Sequence, residues 1–268
     1  MNPFLQVAIE AARDAGAILM AEFDRPQRIS YKGEVDLVTE ADRLSEEAII
    51  TRLRNHFPKH AIVAEESGGE EKQSQYCWYV DPLDGTTNFA HGYPWFSVSI
   101  ALQENDELLL GLVSNPVNGE LFTAVRGEGA FLNQKKIRVS SIKRLATSLL
   151  GTGFPSHKRT QNPNIHYYWE FTLASHGVRR ACSAANDLCS VACGRFDGFW
   201  EFGLKPWDTA AGALLVREAG GMVTDFASRP YRLGGPELLA SNGHIHAEMQ
   251  QFCADIAERA PQRPGLPM

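Results

Sequence analysis

Trp78-Tyr79-Val80-Asp81-Pro82-Leu83-Asp84-Gly85-Thr86-Thr87-Asn88-Phe89 joins an apolar strand to two carboxylates three residues apart and then to a Gly-Thr-Thr turn. Packing gives a buried strand no reason to end in paired Asp around a proline. Hard divalent cations take oxygen ligands and bridge protein carboxylates to phosphates, so the stretch points to a place where metal meets phosphate. Gly85 lets the backbone approach a ligand closely, and Thr86 with Thr87 can open a short helix whose free N–H groups face an anion. Taken alone, Asp81 to Gly85 is equally compatible with an ordinary turn, because Asp, Pro and Gly favour turns for local reasons.

Three further segments place carboxylates where structure alone asks for few. They are Glu65-Glu66-Ser67 at the end of the strand Ala61 to Ala64, Asp208 after Trp207 at the start of an apolar helix, and Asp42 in Thr39-Glu40-Ala41-Asp42. Each has a local reading too. Asp208 suits a helix N-cap, worth about 1 kcal/mol. Asp42 in a first helical turn favours the helix dipole, and Glu65-Glu66 can be a solvated strand end. If the carboxylates converge, like charges about 4 Å apart repel by roughly 4 kcal/mol per pair at an effective dielectric near 20, a conflict that a divalent cation removes. His and Cys are absent from these segments, which favours Mg²⁺ or Mn²⁺ over Zn²⁺ or Cu²⁺.

The 268 residues are 44% hydrophobic and 22% charged, enough for one large domain or two sharing a core. Lys plus Arg number 26 against 32 Asp plus Glu, and the net charge of −6 argues against a direct nucleic-acid or anionic-membrane partner. The start Met1-Asn2-Pro3-Phe4 lacks a secretory signal and no long apolar run follows, so a cytoplasmic location is expected. Five cysteines without a Cys-x-x-Cys spacing read as buried thiols.

Apolar spacing predicts a helix from Phe4 to Phe23 and another from about Thr39 to Phe57, stopped by Pro58. Strands are expected at 61–64, 76–80, 96–102, 108–114 and 120–125, as an antiparallel meander. Beyond residue 140 the pattern alternates: strand 148–151, helices 164–175 and 185–194, strand 197–201, a last clear helix 208–219, and strand 222–225. The expected organisation is an N-terminal subdomain, 1–140, carrying the metal-binding strand-turn motif and an antiparallel sheet. A C-terminal α/β subdomain, 141–259, would complete the site, and 260–268 would be a loose tail.

Glu65-Glu66-Ser67, Asp81 through Phe89, Trp207-Asp208-Thr209-Ala210-Ala211-Gly212 and Glu218-Ala219-Gly220-Gly221 together resemble the inositol monophosphatase family of Mg²⁺-dependent, lithium-sensitive phosphatases, in order from about Phe4 to Gln251. The resemblance implies an α-β-α-β-α layered sandwich of mixed α+β and α/β character, shared with fructose-1,6-bisphosphatase, and a homodimer. It implies two or three Mg²⁺ ions, with Mn²⁺ a possible substitute. Glu65, Asp81 and the Leu83 carbonyl would hold the first ion; Asp81, Asp84 and Asp208 would hold the second. Glu65 would also reach a third through water. Thr86 and Asp42 match the pair that orients and deprotonates the attacking water. Gly85 and Thr86 match the phosphate cradle, Ser183 and Ala184 the substrate wall, and Glu201 a position that binds a substrate hydroxyl.

The activity implied is hydrolysis of myo-inositol 1-phosphate or a similar small polyol phosphate. Fructose-1,6-bisphosphate, histidinol phosphate and 3′-phosphoadenosine 5′-phosphate compete as substrates within the same fold. A regulatory or RNA-associated partner-binding protein is the alternative from another class. The chain departs from the family pattern at Cys182, where glycine is common, at Lys32 and at Lys205; with Arg180 these bear on substrate choice.

Overall fold

The computed structural model describes residues 2–23, 25, 29–31, 37–69, 74–154 and 162–259, and within them helices and two sheets stack in five layers. The first layer is a helix pair, α1 (Pro3–Phe23) and α2 (Glu40–His56), with the small antiparallel pair β1 (Ile29–Tyr31) and β2 (Leu37–Thr39) in the connection. Ala8, Ala11, Ala12 and Ala15 line the buried face of α1. Their small side chains let α2 approach closely.

The second layer is a seven-stranded sheet, in spatial order β3 (Ala61–Ala64), β4 (Tyr76–Asp84), β5 (Ser97–Glu104), β6 (Glu107–Asn115), β7 (Glu120–Val125), β8 (Gly129–Leu132) and β9 (Lys135–Lys136). From β4 onward every neighbour is antiparallel, but β3 runs parallel to β4. A short helix, α3 (Thr86–Ala90), follows β4. The fourth layer is a five-stranded sheet of β10 (Leu149–Thr152), β11 (Gly177–Arg179), β12 (Gly198–Phe202), β13 (Met222–Thr224) and β14 (Glu237–Ser241), ordered β11-β10-β12-β14-β13. It is parallel on both sides of β10 and antiparallel elsewhere.

Helices α5 (Ala184–Ala192) and α6 (Pro206–Glu218) fill the space between the sheets, and α4 (Asn164–Ala174) and α7 (His246–Arg259) cover the far side. Side-chain alternation sorts the cores. Trp78, Val80, Ile100 and Leu102 face α1 and α2, while Tyr79 and Ala101 face α5 and α6. Phe199 and Ala240 join that middle core, and Trp200 and Leu239 turn to α4 and α7. Central strands buried on both faces read as continuous apolar runs for this reason. Residues 260–268 and Lys32 lie outside the described residues, and α7 is a helix that the sequence pattern placed nowhere.

One contact sets the height of α6. A Cβ at Gly111 on β6 would stand 2.7 Å from the Ala211 carbonyl oxygen, so the helix lies directly on the sheet. Its N-terminus is thereby held beside the ends of β4 and β5, which also bring Asp81 and Asp84.

Candidate active site

The two carboxylates of β4 lie on a β-bulge. Asp81 opposes Ser99 and Asp84 opposes Ser97, so one extra residue is inserted between them, at Pro82-Leu83. In a regular strand, residues three apart point to opposite faces; the inserted residue turns both carboxylates the same way. Pro82 is tolerated there because a bulge needs no ladder N–H from it. Asp81 is buried, and its Oδ1 accepts the Leu83 N–H at 3.0 Å. Gly85, at φ 102°, then redirects the chain into α3; a Cβ there would lie 3.1 Å from the Trp95 carbonyl oxygen.

Helix α2 organises the loops around this turn through a buried polar stripe. Asp42 Oδ2 accepts the Thr39 N–H at 2.8 Å and the Thr39 hydroxyl at 2.6 Å, and Oδ1 lies 3.1 Å from Thr86 Oγ1. Thr86 shares its one hydroxyl proton between Asp42 and the Leu83 carbonyl, also at 3.1 Å. Ser45 donates to the Pro82 carbonyl at 2.8 Å. Glu46 accepts the N–H groups of Glu66 and Ser67, both at 2.8 Å, which fixes the turn that carries Glu65. Ser45 and Glu46 were not expected. Their signal was three polar residues, 42, 45 and 46, on one face of a helix whose other buried residues are Ala41, Ile49 and Leu53.

The second half of the site comes from α5, α6 and β12. Ser183 donates to Asp84 Oδ2 at 2.6 Å, and the N–H groups of Ala184 and Ala185 reach the same carboxylate at 3.2 and 2.8 Å. Asn186 donates to Ser183 Oγ at 2.9 Å, leaving the Ser183 proton for Asp84, and Asn115 Nδ2 reaches Asn186 Oδ1 at 3.3 Å. Asp208 is not the N-cap of α6. Lys205 precedes Pro206 as the cap, and Asp208, at the third helical position, accepts the Lys205 N–H at 2.7 Å. Glu201 is buried on β12, with Arg180 close enough to stabilise its charge.

Electrostatics tie these groups together. Burial, then the charges of Glu65, Asp84 and Asp208, hold the Asp81 carboxyl well above the usual range. Burial raises Asp84 against the opposing hydrogen bonds from Ser183, Ala185 and Ala184. Asp208 is pushed up to about 7, by burial first and by Asp84 after it. Glu201 and its neighbour Asp187 are likewise raised by burial and by other carboxylates; neither oxygen of buried Asp187 has a hydrogen-bond partner among the described residues.

Among the described residues, no three His, Cys, Asp or Glu side chains stand grouped to grip an ion as they are. Asp84 accepts hydrogen bonds from Ser183, Ala184 and Ala185, and Asp208 from the Lys205 N–H. The donor set is nevertheless oxygen throughout, and its unrelieved mutual repulsion is what a hard divalent cation would offset.

Cys182 on the neighbouring wall is half-buried at φ 61°, a left-handed conformation costing a side chain roughly 1 kcal/mol, and Asn88 Nδ2 holds the adjoining Ala181 carbonyl at 2.8 Å. The Arg180 guanidinium lies 4.7 Å over the Phe154 ring, and Lys205 is exposed.

The chain is 46% identical to an inositol-1-monophosphatase of Synechocystis sp. over 95% of this chain and 90% of that relative. It is 47% identical to the Nus factor SuhB of Pseudomonas aeruginosa over 92% of each. Among solved structures, the inositol monophosphatase of Anabaena (Nostoc) sp. superposes with a TM-score of 0.86 at 43% identity, over 94% of this chain and 95% of that one. The extragenic suppressor protein suhB of Bartonella henselae gives 0.88 at 41%, over 92% and 97%. The profile of the inositol monophosphatase family matches residues 1–261, and with these relatives it establishes that the chain belongs to that family.

Proposed function

We propose that this protein hydrolyses the phosphate monoester of a small polyol, inositol monophosphate foremost, to the alcohol and inorganic phosphate with the help of Mg²⁺. The observation that carries the reading is the enclosed Asp81 carboxylate, which feels the charges of Glu65, Asp84 and Asp208 from three separate segments. Those four side chains and the Leu83 carbonyl would hold the metal. Bound there, a divalent cation would lower the pKa of water and neutralise phosphoryl charge.

The chain's own groups supply position and proton transfer. Thr86 Oγ1, between Asp42 Oδ1 and the Leu83 carbonyl, orients a water for in-line attack. As the water oxygen bonds to phosphorus, its proton passes to Thr86 while the Thr86 proton moves to Asp42 Oδ1. Burial raises Asp42 above the ordinary carboxylate range and makes it the better acceptor. The ester P–O bond breaks, and the departing alkoxide takes a proton from solvent. Glu201 accepts a hydrogen bond from a substrate hydroxyl, and the Gly85-Thr86 backbone faces the phosphate. The same reading carries a homodimer, a cytoplasmic address and inhibition by lithium.

A screen of inositol, sugar and nucleotide phosphates with and without Mg²⁺ tests the proposal. Metal-dependent release greatest for inositol monophosphate is expected, and no release from any ester would overturn it. A second reading, a partner-binding role in regulation, is favoured by the 47% identity to a protein named Nus factor SuhB, and silence in that screen would promote it.

A further inference from the structure

A cavity of about 720 Å³ lies at the far end of α6 from the carboxylates. Its floor is apolar: Tyr79 on β4, Leu108 on β6 and Leu214 on α6 belong to the middle core, and Leu233, in the connection between β13 and β14, packs against that core. Arg217 comes nine residues after Asp208, about 14 Å along the helix, and no residue assigned to the active site lines the cavity. The two places are separate. Three arginines and three acids surround this one, and most of the acids are already engaged. Glu218 accepts the N–H groups of Gly127 and Gly129 at 2.9 and 2.8 Å, and Glu107 pairs with Arg126. Arg217 and Arg232 are left with no side-chain hydrogen bond or ion pair among the described residues, and Asp106, exposed on the β5–β6 turn, pairs with neither.

In the last turn of α6 Arg217 favours the helix dipole, which accounts for a cation there but supplies its guanidinium with no acceptor. Part of its side chain reaches solvent, yet burial lowers its pKa, and the Tyr231 phenol alone opposes the shift. No carboxylate does. The wall also holds an acceptor without a donor: Gln103 Nε2 donates to the Asn105 carbonyl at 2.8 Å, but its buried Oε1 meets no N–H or O–H among the described residues. We propose that the cavity is a second ligand site, for a small organic phosphate that also carries a hydrogen-bond donor. Arg217 and Arg232 stand on different elements, and two planar forks need more oxygens than one carboxylate has, whereas a phosphate monoester offers three. Gln103 Oε1 takes the ligand's donor, and Leu108, Leu214 and Leu233 take its carbon skeleton. The volume suits such a molecule.

The test is isothermal titration calorimetry of the full chain with (4-hydroxyphenyl)phosphonate, whose P–C bond a phosphomonoesterase cannot hydrolyse, once with Mg²⁺ and once with EDTA. Saturable binding at one site per chain is expected without the metal as well as with it. R217Q/R232Q is expected to weaken that binding at least ~10-fold and Gln103→Leu at least ~3-fold, with phosphate release from inositol monophosphate unchanged in both. 4-Hydroxybenzoate, the carboxylate counterpart, should bind more weakly than the phosphonate. Absence of saturable binding, equal binding by R217Q/R232Q, or a carboxylate bound as tightly as the phosphonate would overturn the proposal. So would binding that appears with Mg²⁺ alone, which would put the anion in the active site. Should the double variant fail to fold, Gln103→Leu decides by itself, and wild-type affinity in it would count against the site.

Discussion

Asp42 and Asp208 occupy the same place in two different helices. Each is the third residue of its helix, and each accepts the backbone N–H of the cap three residues earlier, Thr39 for α2 and Lys205 for α6. As local structure they are interchangeable. Their surroundings separate them. Asp42 is fully buried, with both oxygens engaged by Thr39 and Thr86. Asp208 keeps an oxygen without a hydrogen-bond donor among the described residues, beside Asp84, and its carboxyl sits near pKa 7. Of these two, Asp42 is spent on protein donors and positions other groups, whereas Asp208, with an oxygen in reserve and Asp84 beside it, is available to a cation.

The largest effect that could break this contrast is in Asp208→Asn. The amide retains an oxygen for the Lys205 N–H and removes a repelled charge, so turnover should fall ~10³-fold or more while the melting temperature holds or rises. Parallel assays of phosphate release and thermal unfolding check it; a large loss of stability would make Asp208 merely a cap.

A pH scan separates the site from the rest of the molecule. Buried His246, between Thr224 and Ser241 hydroxyls, is pushed by burial from 6.5 down to about 4. The unfolded chain therefore binds the proton more readily, and stability is complete above about pH 6.5 and drains away as pH falls toward 4, by about 3 kcal/mol. Denaturant midpoints of wild type and His246→Phe across that window should show the acid loss in the wild type alone. The same loss in both would place its source elsewhere.

Asp42→Asn sharpens the comparison from the other side. One amide face would meet the Thr39 or Thr86 hydroxyl in place of an oxygen, costing about 2 kcal/mol of stability as well as turnover, readable as a shifted urea midpoint. An unchanged midpoint would mean that Asp42 is not held by these bonds. Glu46→Gln should have the smallest effect, about 1 kcal/mol, since one of two backbone N–H groups keeps its partner, with a raised Mg²⁺ requirement because the Glu65 turn loosens.

Much of this arrangement was legible in the sequence for definite reasons. The carboxylate segments announced themselves because each sits where an element rich in apolar residues begins or ends. Period-2 and period-3.6 spacing gave α1, α2 and most strands. Local pattern could not give the bulge at Pro82-Leu83, because it is defined by Ser97 and Ser99 on another strand. It placed Asp208 at the cap and not at the third position, since Lys205-Pro206 is a weak start signal until Pro206 is seen to begin the helix. α7 was missed although Met249, Phe252, Cys253 and Ile256 recur at helical spacing and pack on the far core. Glu46 acts on the N–H groups of Glu66 and Ser67, and Asn186 acts through Ser183 on Asp84; no short window holds both ends of either link.

Mn²⁺ binding followed by electron paramagnetic resonance, on the wild type, Asp208→Asn and Asp42→Asn in parallel, addresses the central claim most directly. The account predicts protein-bound Mn²⁺ in the wild type and in Asp42→Asn, and at least ~10-fold weaker binding in Asp208→Asn. Equal affinity in all three would contradict it.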